Sequence, residues 1–122
     1  MSGWLWTLRL TKPEPYRIAL ILVGDQGQLW EGAGGDVFDA LMNLRLELEP
    51  VGIRVCCNGA RANAWSSGMQ RDMGQGYEVY LLGLERSGRP ASIQTLDPAP
   101  CEEVVTVAEQ RAFHERWLAR QP

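Results

Sequence analysis

Trp4, Trp6, Leu8 and Leu10 alternate with Leu5, Thr7 and Arg9, a period of two that predicts a half-buried strand at the start of the chain. Pro13 and Pro15 are expected to break it. Ile18 to Val23 is continuously apolar and reads as a central strand covered on both faces. The run Gly24-Asp25-Gln26-Gly27 signals a turn, after which Gln28 to Glu31 can return as a short third strand. Asp36 is placed to cap a helix whose Val37, Leu41, Leu44 and Leu48 share one face, with Phe38 beside them. Asp39 adds negative charge in its first turn, where the helix dipole favours it. Pro50 and Gly52 end that helix, and Ile53 to Cys57 follow as another short strand.

Beyond Cys57 the pattern fails. About twenty residues, Cys57 to Gly76, support neither a strand nor a helix well, yet they include Trp65, Met69 and Met73. A purely solvated linker has little reason to keep such side chains, so an ordered, ligand-facing or partner-facing loop is expected. Regular structure resumes with a strand from Tyr77 to Leu84, a turn at Ser87 to Pro90 and a further strand at Ser92 to Leu96. Asp97 to Pro100 is rigid. Thr106-Val-Ala-Glu109 has the form of a capping box, predicting a last helix from about Val107 to Arg120 with Phe113 and Trp117 on its buried face.

The order β-β-β-α-β-loop-β-β-α predicts one α+β domain over residues 1–122. A two-layer sandwich is expected, with two helices on a mostly antiparallel sheet of about five to six strands. Trp4, Trp6, Leu20, Leu22, Leu41 and Trp117 are the expected core.

With 122 residues, 45% hydrophobic and 22% charged, the composition is that of an ordinary globular domain. A net charge of −3 argues against a nucleic-acid partner, which calls for a basic face, and suits a partner with a basic surface. No apolar run reaches membrane-spanning length and no signal peptide is evident at Met1. Three cysteines do not make a disulfide framework. Cys56 and Cys57, adjacent on a strand, would face apart and act as small apolar residues. The compartment expected from this is a reducing cytoplasm. Oligomeric state is not readable.

Catalytic signatures are sparse. His114 is the single histidine and no Cys-x-x-Cys pair exists, which speaks against a metal centre. A Cys57–His114 nucleophile pair is conceivable, but a histidine on a charged helix surface is the ordinary explanation. The carboxylates Glu47, Glu49, Glu102 and Glu103 read as solvated or helix-end charges. Gly32 to Asp36 precedes a helix but lacks the phosphate-loop ending, and Asp36 would repel an anion. No cofactor and no catalytic residue is expected.

The candidate site is therefore the loop: Asn58, Arg61, Asn63, Trp65, Ser67, Met69, Arg71 and Asp72. Arginines offer forked contacts to carboxylate or phosphate, and Trp65 an interface anchor. In the alternative reading Trp65, Met69 and Met73 pin the loop to the body while the arginines pair with Asp72 and nearby acids. As an interface anchor, Trp65 would be replaceable by Ala with little change in stability.

The run Gly34 to Gly76, with the pattern NGARxNxWxSGMxxxMGxG at Asn58 to Gly76, resembles a family of small bacterial proteins of unassigned chemistry. The closing TVAEQRAFHERWLARQ, Thr106 to Gln121, resembles that family's last helix. Proteins of this size and charge are similar to immunity proteins that neutralise polymorphic toxins of competing bacteria. That resemblance implies a non-enzymatic protein docking on a toxin domain through Trp65, Arg61, Met69 and Arg71. The alternative is a binder of a small anionic ligand, or an enzyme, using Asn58, Arg61, Ser67 and Arg71. A concave convergence of the loop's polar groups would favour the second, an exposed patch the first.

Overall fold

A computed structural model of the chain describes residues 6–83 and 91–121. Trp4 of the expected core, Leu84 and the turn at Ser87 to Pro90 lie outside them. The architecture is α+β, with two three-stranded antiparallel sheets rather than one sheet, and three α-helices rather than two.

The first sheet is a meander of β1 (Thr7–Glu14), β2 (Arg17–Val23) and β3 (Leu29–Gly34), in that order. Leu8 pairs with Leu22, Leu10 with Leu20, and Leu22 in turn with Trp30, so one face is apolar across all three strands. Trp6 stacks on Trp30 with ring centroids 5.5 Å apart. Pro13 does not break β1, because β1 is an edge strand and its pairing is irregular between Thr11 and Glu14. The chain turns at Pro15-Tyr16 instead.

Ile18, Leu20 and Leu22 are buried against α1 (Val37–Leu48); on the opposite face Ala19 is buried as well, while Ile21 and Val23 are half-buried. The cover expected on both faces of β2 is thus complete over Ile18 to Leu20 and partial at Ile21 and Val23. At Gly32 the backbones of β3 and α1 nearly touch: a Cβ there would lie 2.1 Å from the Leu44 nitrogen, so only glycine fits.

Helix α1 starts as its sequence indicates. The Asp36 Oδ1 accepts from the Asp39 N–H at 2.8 Å, capping the first turn. It buries more than one face. Ala40, Leu41, Leu44 and Leu48 join the first core with β2, Cys57, Ala60 and Val104. Phe38 and Met42 join a second core with Ala64, Val79 and Val107. Fully burying each large apolar side chain contributes roughly 1.5–3 kcal/mol, so α1 is the main cohesive element of the molecule.

The second sheet comprises β4 (Ala64–Trp65), β5 (Glu78–Leu81) and β6 (Ser92–Gln94), in that order. A five-residue helix, α2 (Gly68–Asp72), lies between β4 and β5. The segment thought unfit for regular structure thus holds a strand, a helix and a 3-10 turn at Asn58–Ala60. Ser67 and Gln70 form a capping box that starts α2, a signal the apolar periodicity could not show.

Ile53 to Cys57, in contrast, is not a strand; only Cys57 makes an isolated bridge, to Pro98. A covalent tie holds this segment where a ladder was expected. Cys56 forms a disulfide with Cys101, 45 positions along the chain. The reading of three unlinked cysteines is corrected here. Cys57 is buried in the first core as a free thiol, and Cys56 packs against the same core while bonded to Cys101.

The last helix, α3 (Val107–Ala119), begins at the capping box of Thr106 and Glu109. Its buried residues are Val107 and Gln110. Phe113 and Trp117, expected on the buried face, are half-exposed. Of the expected core, Leu20, Leu22 and Leu41 are buried, and Trp6 is half-buried against them.

Candidate functional site

The loop after the disulfide is organised from inside. Gln110 is fully buried, and its Nε2 faces the carbonyls of Gly59, Arg61 and Ala64 at 2.8, 3.2 and 2.8 Å. Its Oε1 accepts from Nη1 of Arg45, whose Nη2 donates to the Val105 carbonyl. Arg45 is itself only 3% exposed and makes no ion pair among the described residues. Burial disfavours its charge, an effect countered in part by the nearby Cys57 and Glu49.

Most of the loop's polar side chains are spent on the fold. Asn58 donates to the Gln94 carbonyl and accepts from Arg61 Nε, each at 3.0 Å. Arg61 also forms an ion pair with Glu103. Asn63 donates to the Leu82 carbonyl, and Ser67 caps α2. Arg71 does not pair with Asp72. Its Nε reaches Asp36 at 2.8 Å and its guanidinium lies over the Phe38 ring, so the loop is strapped to the start of α1.

That strap also occupies the amino end of α1, since the Val37 N–H donates to the Gln75 carbonyl. Gly76 follows with a φ of +72°, and a Cβ there would come within 2.8 Å of Asp36 Oδ1. Outward-facing members of the predicted set are few. Met69 is 72% exposed and Asp72 is exposed, as is Met73 at 81%; neither methionine pins the loop.

Trp65 is different because it stands between interior and surface. One edge meets Phe38 in a T-shaped contact at 5.1 Å, while its face stacks on His114 of α3 at 3.9 Å. His114 in turn lies near-parallel to Trp117, centroids 6.4 Å apart. This aromatic row floors an open groove of about 520 Å³ between β4–β5 and α3, whose lining also includes Tyr80, Leu82 and the 51% exposed Leu118. Leu82 and Trp117 also line a second groove of about 510 Å³, together with Phe113, Arg116 and Arg120.

Tyr80, His114, Trp117 and Leu118 were missed as site residues. Tyr80 pairs with Trp65 across β4 and β5, a register not readable from spacing. Of these α3 residues the sequence places only Trp117 on the buried face; His114 reads from the sequence as a surface histidine, and Leu118 carries no assignment.

A third hollow, of about 320 Å³, lies at the amino end of α3 among Arg45, Arg54, Glu49 and Glu109. Its charges balance, and much of its polar capacity is used internally. Glu49 Oε2 accepts from the Val107 N–H, and Arg54 donates to the Cys101 carbonyl. Hydrogen bonds from Thr106 hold the Glu109 carboxyl below its usual range.

The nucleophile pair considered for Cys57 and His114 is not assembled. Cys57 sits in the first core beside Arg45, where burial pushes its thiol up to about 11, whereas His114 stacks on Trp65. Among the described residues no group of three acidic, histidine or cysteine side chains is gathered to hold a metal, and no helix is long and apolar enough to cross a membrane.

Comparison with known proteins finds no family model that matches this chain and no curated protein that matches it.

Proposed function

We propose that the chain is a non-enzymatic partner-binding protein whose docking surface is the aromatic groove between α3 and the β4–β5 pair. One contrast carries this reading. Most polar side chains of the 58–76 loop are engaged by main-chain and side-chain partners, while Trp65, Tyr80, Trp117 and Leu118 are left lining an open surface groove. Trp, Tyr and Arg side chains around a central apolar depression are the composition of interface hot spots. A pocket of converging polar groups, which an anionic ligand would need, finds less support.

In the form suggested by the family resemblance, the partner is a toxin domain and the chain is its immunity protein. The Cys56–Cys101 disulfide favours an oxidising compartment over the reducing cytoplasm expected from the cysteine count.

Coexpression with the open reading frame beside its gene tests the proposal. The expected result is a stoichiometric complex that rescues cells from the neighbour's toxicity, and that is lost in Trp117→Ala although that variant stays folded with only a small change in thermal midpoint. No toxicity and no complex would sink the immunity role. A complex indifferent to Trp117→Ala and Leu118→Asp would remove the groove as its docking surface.

A further inference from the structure

The later turns of α3, which wall the groove on one side, are opposite in charge to the chain as a whole. From Arg111 to Arg120 the sequence carries three arginines against Glu115 alone, although the chain as a whole has a net charge of −3. Arg116 and Arg120 line the groove that adjoins the aromatic one through Leu82 and Trp117. Both are exposed, and neither makes an ion pair among the described residues. The Arg116 guanidinium lies 6.0 Å from the Phe113 ring centroid, so its contact among the described residues is with an aromatic face and not with a carboxylate. Among the described residues the arginines that meet acids, Arg61 and Arg71, are those of the loop.

From this we infer that the partner's docking element is an acidic segment with an apolar anchor. An aromatic or aliphatic side chain enters the depression over His114 and Trp117, and carboxylates beside it take the forks of Arg116 and Arg120. The inference rests on the groove being the docking surface. It reverses the expectation, drawn from net charge, that the partner is basic where the two meet. Such rim charges act mainly on the rate of encounter and on salt dependence, while the buried anchor sets how long the complex lasts. A single-stranded nucleic acid would also combine negative charge with stacking rings. The acidic remainder of the molecule, including Glu102, Glu103 and Glu109 toward the other end of α3, disfavours a long polyanion and leaves a short acidic peptide segment as the better fit.

The test uses the full chain, isotope-labelled, and four probes: short peptides with a central Trp-Leu pair flanked by Glu, by Gln or by Lys, and an oligothymidine. Backbone and indole N–H signals of Trp65, Trp117 and Leu118 report occupancy. The Glu-flanked peptide is expected to bind at the groove about fivefold tighter than the Gln-flanked one at low salt, with the advantage fading at high salt. In the double variant Arg116→Glu, Arg120→Glu the order should invert in favour of the Lys-flanked peptide, at an unchanged thermal midpoint. If the Gln or Lys peptide binds the groove equally well in the unaltered chain, the acidic segment is wrong while the docking surface stands. Tighter binding of the oligothymidine would transfer the groove to nucleic acid. If no peptide moves the groove signals, the docking surface itself falls.

Discussion

His114 lies flat against Trp65, centroids 3.9 Å apart and planes within 7° of parallel, so the single histidine of the chain joins α3 to the second sheet. Partial burial lowers its pKa, with Glu115 acting in the opposite direction. An imidazole disfavoured as the cation in the folded state takes its proton at higher pH when the chain is unfolded. Its contribution is therefore fully present above the unfolded value of about 6.5 and is lost as pH falls through the lower folded value. The expected outcome is an NMR titration midpoint for His114 below 6.5, and a loss of stability between neutral and mildly acid pH that is smaller in His114→Gln. A midpoint above 6.5 would show that the cation is held by the tryptophan faces instead.

Trp65 and Trp117 border the same groove but should differ sharply on replacement. Trp65 contacts Phe38 in the second core, so Trp65→Ala is expected to cost about 2–4 kcal/mol in denaturant unfolding. Trp117→Ala, on the outer side, is expected to cost under about 1 kcal/mol. Equal costs would mean that the groove is part of the interior.

Gln110 concentrates more of the fold than its place in a surface helix suggests. Gln110→Leu keeps the bulk but strips a donor from three carbonyls and an acceptor from buried Arg45. A loss of about 3 kcal/mol or more is expected, because unpaired buried polar groups and a buried unpaired charge are both costly. Adding Arg45→Met to that variant should recover part of the loss, as a double-mutant cycle would show.

Closing a chain segment across 45 positions restricts the unfolded ensemble, by about 4 kcal/mol in the loop-entropy account. Mild reductant should therefore lower the unfolding midpoint of the native protein, while Cys56→Ser with Cys101→Ser should be lowered to the same degree and be indifferent to reductant. Cys57, buried and with its thiol pushed up to about 11, should resist alkylation until the chain unfolds. Full alkylation of three thiols without reduction would refute the disulfide.

Helices α1 and α3 were legible because each carries its own local instructions, whereas the five-residue α2 is too short to show an apolar period. Asp36, Thr106 and Glu109 cap free N–H groups through side chains within three residues, and that chemistry is visible in one short window. Strands β2 and β3 were legible from apolar runs and a turn signal. The sheet boundaries were not, because whether Ile53 to Cys57 pairs depends on what lies opposite, and a disulfide to Cys101 stands there instead. The loop's importance could be seen in Trp65, but its side-chain directions could not. Asn58, Arg61 and Arg71 meet partners 36, 42 and 35 positions away, contacts that no local pattern encodes. Trp117 was assigned to the interior because a large aromatic at helical spacing has the same sequence signature whether a core or a groove lies opposite.

Helix α1 belongs to both apolar cores, and this governs how the molecule can come apart. Neither sheet has a private interior: the first loses Leu41 and Leu44, and the second Phe38 and Met42, when the same twelve residues unwind. Melting is thus coupled across the two halves, with no route by which one sheet is shed and the other persists. The amide protons of α1 should be the last to exchange with solvent, at a rate matching global unfolding, and a chain truncated to either sheet should have no cooperative transition of its own.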